Sequence, residues 1–182
     1  MNDTITAIST TLGLGAISII RVSGKEAIEK VNNITNINLK EKQTHTVSYG
    51  YIIENKNIID EVLITVMKAP KTFTTEDTVE INCHGGVATT KKVLEMILDQ
   101  GIRLAEPGEF TKRAFLNGRI DLTKSQAVND LINAKTEKAR QIVINNLTGT
   151  TTNKIKKLRE KLVQIISNIE VNIDYPEYQD IE

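Results

Sequence analysis

Glu80, Asn82 and His84 alternate along the chain and run into Gly85-Gly86. Val79, Ile81 and Cys83 fall between them, so residues 78–84 have the period of a strand with one apolar and one polar face. The polar face carries a carboxylate, an amide and an imidazole beside a tight turn. A helical pattern opens at Val87, and a strand that passes through Gly-Gly into a helix brings backbone N–H groups close to whatever the polar face holds. The stretch reads either as a ligand surface or as a half-exposed strand with a solvated outer side.

Arg21 is the second residue of chemical interest. It ends the run Ala-Ile-Ser-Ile-Ile-Arg-Val at residues 16–22, which is apolar on both faces and predicts a central strand. A guanidinium there requires an anionic partner, from protein or ligand, unless it snorkels to water from the strand end. A third feature is a basic segment. Residues 135–161 hold eight Lys or Arg against Glu137 and Glu160, and residues 170–182 hold five acids and no base. That pattern reads as a solvated helix face followed by an acidic linker, or as a local anion-binding face.

The elements that must position these groups can be read in order. A short β-branched strand is predicted at residues 4–9. The loop Thr10-Thr11-Leu12-Gly13-Leu14-Gly15 lacks the third glycine of a dinucleotide fingerprint, and a strand rather than a helix follows it. Ser23-x-x-Glu26 has capping-box spacing before a helix with Ala27, Ile28 and Val31 inward. Residues 47–53 and 58–67 predict two strands joined by a hairpin turn. A helix from Val87 ends at Gly101. Another begins at Pro107-Gly108-Glu109, with Phe110, Ala114 and Phe115 inward, and stops at Gly118. Beyond Leu122 the pattern is helical throughout, with a second capping box at Thr123-x-x-Gln126 and a break near Lys135-Thr136. Ile155, Leu158, Leu162, Ile165, Ile169 and Ile173 define a helix of roughly 23 residues, about 35 Å long, whose narrow stripe requires partner helices from a second copy or from further sequence. The predicted fold class is α+β: a mixed-sheet domain over residues 1–118, then the first long helices of an incomplete bundle over residues 119–182.

The chain has 182 residues, 40% of them apolar, and no net formal charge. It is therefore long enough for a sizeable core and is not, as a whole, an electrostatic magnet for nucleic acid. No apolar run approaches the roughly 20 residues of a membrane span, and residues 1–4 show no secretory signal. The single cysteine, Cys83, excludes an internal disulfide and reads as a core residue. These features predict a cytoplasmic protein with no membrane association. Two histidines and no clustered cysteines argue against a metal site.

Several stretches together resemble the tRNA-modification GTPase family known as MnmE or TrmE. They are Asp3-Thr4-Ile5, Gly13-Leu14-Gly15, Arg21-Val22-Ser23-Gly24, Phe73-Thr74-Thr75-Glu76-Asp77, Glu80 with His84-Gly85-Gly86, the long run from Pro107-Gly108-Glu109-Phe110 to Asn117-Gly118, Asp121-Leu122, and Ile173-Asp174-Tyr175-Pro176. The resemblance covers residues 4–176. It implies an N-terminal domain related to the folate domain of the glycine-cleavage T-protein, which binds 5-formyltetrahydrofolate and forms a homodimer. A helical domain follows, into which a GTPase domain is inserted. It implies that the whole protein, with an FAD-dependent MnmG-type partner in a heterotetramer, modifies C5 of the wobble uridine of tRNA, with GTP hydrolysis that uses K+ and Mg2+. No Gly-x-x-x-x-Gly-Lys-Ser/Thr occurs here, so the GTPase chemistry is expected to lie outside this chain, and no catalytic residue is assigned within it. The family's folate contacts fall on Arg21, Glu80 and Arg119. Glu80 is then the natural acceptor for the 2-amino pyrimidinone edge of a pterin. An Arg21–Glu80 structural ion pair is the alternative. Thr11, Leu12 and Leu14 depart from the prolines and arginine common in the family. Two other readings are a dimerisation scaffold with a decayed folate site and a stand-alone folate-dependent transferase.

Overall fold

Residues 3–175 are described by a computed structural model. Their contacts separate into two compact units, Met1–Arg119 and Ile120–Glu182. The first unit is built on a six-stranded sheet in the order β3-β4-β5-β2-β1-β6. Its strands are β1 (Ile5–Ile8), β2 (Ile17–Ser23), β3 (Thr46–Glu54), β4 (Asn57–Met67), β5 (Thr78–His84) and β6 (Arg103–Leu104). Every neighbouring pair is antiparallel except β1 and β6, which makes the sheet mixed. The fold is α+β, as the order of strand and helix patterns predicts.

One sheet face is the core. Ile20 and Val22 of β2, Val79 and Ile81 of β5, and Ile64 and Val66 of β4 are fully buried. They pack with Val31 of helix α1 (Ala27–Asn32) and with Val93 and Ile97 of helix α2 (Val87–Leu98). Burying each such side chain stabilises the fold by about 1.5–3 kcal/mol. The alternate residues of the same strands form the second face. There Ile17, Val47, Tyr49 and Leu63 remain largely exposed. Arg21, Glu80, Asn82 and His84 lie among them, because β2 pairs Arg21 with Glu80 and Ile17 with His84.

The Ser23 capping box does not form. Ser23 is the buried last residue of β2, and its hydroxyl bonds Thr74 Oγ1 (2.7 Å) and Glu76 Oε2 (2.8 Å); α1 starts without a side-chain cap. Helix α3 (Glu109–Leu116) also differs from its sequence pattern. Glu109, Arg113 and Ala114 face inward, whereas Phe115 is exposed, because an ion-pair network rather than an aromatic stripe anchors this helix.

The second unit consists of α4 (Leu122–Asn133), α5 (Glu137–Leu147) and α6 (Thr150–Asp174). The break at residues 134–136 is real, and Thr136 caps α5 by accepting from Ala139 N (3.2 Å). The cap of α4 is Asp121 rather than Thr123: its Oδ1 accepts from Lys124 N (2.8 Å), a geometry that suits a short carboxylate one residue before the helix. Asp121 Oδ2 accepts from the Thr152 hydroxyl (2.9 Å), which ties the start of α4 to the first turn of α6. No residue of α6 is buried, and its apolar side chains stand at 50–71% exposure from Ile155 to Ile173, Val171 excepted. Among the described residues no helix is long and apolar enough to cross a membrane.

Candidate functional site

The antiparallel register of β2 and β5 sets Arg21 directly opposite Glu80. Arg21 Nε donates to Glu80 Oε1 at 2.8 Å, and Nη2 lies 2.7 Å from the same oxygen. Both side chains are roughly a quarter exposed. The anionic partner that the sequence requires for Arg21 is therefore a cross-strand carboxylate. Glu80 uses only Oε1 for this pair, and Oε2 accepts no hydrogen bond from any described residue. The Arg21 guanidinium lies 5.7 Å from the ring centre of Phe110 on α3, within cation–π range. A carboxylate oxygen with an open acceptor position, a fixed cation and an aromatic ring thus meet at one point of the open sheet face.

Arg119 stands apart from that pair, with no hydrogen bond or ion pair to either member. Its Nη1 donates to the Phe73 carbonyl (3.1 Å), and its guanidinium stacks 4.9 Å from the Phe73 ring centre. It borders a depression of about 560 Å3 together with Lys71, Phe73 and Asn117. The loop that carries Phe73 is held by a continuous polar chain. Asn117 Nδ2 donates to the Thr74 carbonyl (2.6 Å), and Thr74 Oγ1 meets Ser23 Oγ. Ser23 bonds Glu76, and Glu76 is paired with Arg113 at 3.2 Å.

Arg113 is only 1% exposed. Its guanidinium also donates to the Asp3 carbonyl (2.8 Å), to Asp3 Oδ1 (2.9 Å) and to Glu109 Oε1 (3.0 Å). Arg103 meets Glu109 from the other side with two bonds of 2.7 and 3.0 Å. The Arg103 guanidinium, helped by the Glu106 amide and Arg113, holds the Glu109 carboxyl down at about 2 despite its burial. This network fixes the chain start, β6, α3 and the Phe73 loop in one arrangement.

His84 lies at the far end of β5. Asp60, nearly buried on β4, accepts from the His84 backbone N–H (2.8 Å) and sits 2.7 Å from its Nδ1. That hydrogen bond and the charge of Asp60 raise the imidazole above its ordinary value. His84, Asn82, Tyr49, Ile17 and Leu63 border a second depression of about 360 Å3. Sequence reasoning passed over Asp60, although a signal exists. Asp60 occupies the inward phase of β4, in step with Val62, Ile64 and Val66, where a carboxylate must find a partner.

One amide of the Gly-Gly turn is taken up within the fold. Gly85 N–H donates to the Ala16 carbonyl (3.0 Å), and a Cβ at Gly85 would lie 2.0 Å from the Gly15 carbonyl oxygen. Glycine is required there by the close approach of the loop before β2. Cys83 is buried, its thiol donates to the Ser18 carbonyl (3.4 Å), and burial pushes its pKa up, so it belongs to the core. Among the described residues no group of three or more His, Cys, Asp or Glu side chains could hold a metal ion.

A mixed-sheet unit with a charged pair on its open face is thus followed along the chain by a helical unit. The two units correspond to two family models: residues 4–119 match the one described as GTP-binding protein TrmE N-terminus, and residues 122–182 match the MnmE helical domain. The chain belongs to the MnmE (TrmE) family of tRNA-modification GTPases. It is 56% identical over 183 residues to the tRNA modification GTPase MnmE of Bacillus cytotoxicus and 56% identical over 181 residues to that of Streptococcus thermophilus. The Bacillus anthracis protein of the same name is 55% identical over 183 residues. Each match covers 99% of this chain and 40% of the relative, so the chain spans well under half the length of the curated relatives it matches.

Proposed function

We propose that this chain is the folate-binding and dimerising part of a tRNA-modification GTPase, organised as a sheet domain over residues 1–118 and a helical domain from residue 119. In this reading Glu80 accepts the 2-amino pyrimidinone edge of 5-formyltetrahydrofolate, and Arg21 and Arg119 hold its carbonyl or carboxylate oxygens. The bound folate supplies the one-carbon unit. The chain's own residues bind and orient it. GTP, K+ and Mg2+ act in a GTPase domain of the longer protein. An FAD-dependent MnmG-type partner completes the modification of the wobble uridine of tRNA in the cytoplasm.

The observation that carries this reading is the free Glu80 Oε2 beside a cation and the Phe110 ring. A flat heterocycle with an N–H edge finds there an acceptor, a charge and a stacking surface in one place. Exposed Ile17, Val47, Tyr49 and Leu63 on the same sheet face favour burial against a second copy. The completed Arg21–Glu80 pair favours a second reading, a dimerisation scaffold in which this pair is purely structural.

Calorimetric titration with 5-formyltetrahydrofolate, beside Glu80→Gln and with sedimentation in the same buffer, decides between them. The first reading expects saturable binding that the substitution weakens by at least about tenfold, since a hydrogen bond to a charged group contributes about 1.5–3 kcal/mol. Equal affinity in the variant removes Glu80 from the site. A folded dimer that binds no folate establishes the scaffold.

A further inference from the structure

The charges of α6 are segregated along its axis. Lys154, Lys156, Lys157, Arg159 and Lys161 face only Glu160 in the first half, while Glu170 and Asp174 stand without a base in the second. The helix dipole gives no reason for this order. It favours acids in the first turn and bases in the last, and α6 has neither. Internal pairing gives no reason either. None of the five cations hydrogen-bonds or ion-pairs with another described residue, whereas Arg140 of α5 is held by Glu137 at 2.6 Å. Five long side chains are thus left free at a place where nothing in the unit uses them.

Their placement has a pattern. Lys154, Lys157 and Lys161 follow at spacings of three and four, so they form one row along the helix, continued by Gln164 and Asn168. The row spans roughly 10 Å from Lys154 to Lys161. It runs beside the apolar stripe of Ile155, Leu158, Leu162, Ile165 and Ile169 and is separate from it. The row and the stripe lie on adjacent sides of the helix, and in the described structure both are open to solvent. An ammonium is a compact point charge without the planar fork that reads base edges, which suits contact with phosphate oxygens irrespective of sequence. The row carries no aromatic side chain on which an unpaired base could stack. These properties fit a duplex backbone better than a single strand.

We propose that the Lys154, Lys157 and Lys161 row of α6 docks the phosphate backbone of a helical RNA stem. The choice of RNA among polyanions rests on the tRNA-modification reading above.

The test uses the 182-residue chain and a fluorescently labelled, unmodified tRNA transcript, with affinity followed by anisotropy across KCl concentrations. The triple variant Lys154→Gln, Lys157→Gln, Lys161→Gln is set against a charge-matched control, Lys40→Gln, Lys42→Gln, Lys91→Gln. The expected result is a salt slope smaller by about two to three in the first triple and an affinity at low salt reduced at least about tenfold. The control is expected to change less than about twofold, and Lys→Arg at the three positions restores binding. Equal losses in both triples overturn the proposal, as does wild-type chain that shows no salt-dependent RNA binding. Tighter binding of poly-glutamate than of a duplex stem overturns it in favour of an acidic protein partner. Circular dichroism of each variant confirms retained helix. Folate titration of the same variants is independent of the row, so failure of RNA binding and failure of the folate site are read separately.

Discussion

Glu109→Gln isolates the energetic weight of the buried network that holds the Phe73 loop. Glu109 is 3% exposed and receives bonds from Arg103, Arg113 and the Glu106 amide. In the folded chain its carboxyl is held at about 2 against an ordinary 4.5. At about 1.4 kcal/mol for each pH unit, the charged form contributes about 3 kcal/mol of stability at neutral pH. Removal of one partner from a buried ion pair costs about 3–5 kcal/mol by mutational experience, which agrees. Because the folded-state value is depressed, this contribution is complete above pH 4.5 and is lost as pH falls toward 2. The variant is therefore expected to lose about 3 kcal/mol at pH 7 and less than half of that near pH 3, where the wild type has itself begun to protonate. Urea denaturation followed by tyrosine emission, with Tyr49 and Tyr51 reporting on the first unit, measures both values. A loss below about 1 kcal/mol at pH 7, or an undiminished loss at pH 3, would refute the assignment of Glu109 as a charged keystone of this network.

Gly85→Ala places a methyl 2.0 Å from the Gly15 carbonyl and is expected to cost more than about 3 kcal/mol, whereas Gly13→Ala, with nothing within 4 Å, stays within about 0.5 kcal/mol; thermal melting compares them. Asp60→Asn removes the cause that raises His84, so the His84 titration midpoint followed by proton NMR moves down toward 6.5. In the wild type, the His84–Asp60 contribution to stability is full below 6.5 and declines as pH rises through the raised value. Asp121→Ala removes both the α4 cap and the Thr152 contact and is expected to destabilise the helical unit by about 1–2 kcal/mol, read as the loss of helical ellipticity on heating.

Much of this architecture is legible in the sequence because hydrophobic periodicity dominates it. The alternation around Val79, Ile81 and Cys83 places β5, the doubly apolar run ending in Arg21 places a central β2, and the break at residues 134–136 is found where the helical pattern falters. Long-range polar contacts are not legible in the same way. Ser23 has the spacing of a cap, but its hydroxyl is taken by Thr74 and Glu76, about fifty residues away. The apolar pattern of α3 gives no sign that Arg113 is buried, because two of its carboxylates, Asp3 and Glu76, come from distant points of the chain and join Glu109 one turn away. Asp60 lay within reach of the sequence, since its inward phase in β4 violates the pattern that its neighbours keep. Of the three residues that the family resemblance singles out, Arg21 and Glu80 meet by strand register, and Arg119 lies instead against Phe73.

The contact between Gly85 and the Gly15–Ala16 backbone has a consequence for how the first unit varies. The course of the loop before β2 is moulded by a segment some seventy residues later, through main-chain atoms alone. Of its own side chains only Thr10, at its first position, is tied down among the described residues, by Ser18 Oγ (3.0 Å) and Ile19 N–H (3.2 Å). Leu12 is largely exposed, and Leu14 projects wholly into solvent. Shape and surface chemistry are thus stored in different parts of the chain. The loop is a cast whose mould lies elsewhere, and its outer residues are free to be rewritten for a new contact while its path is kept.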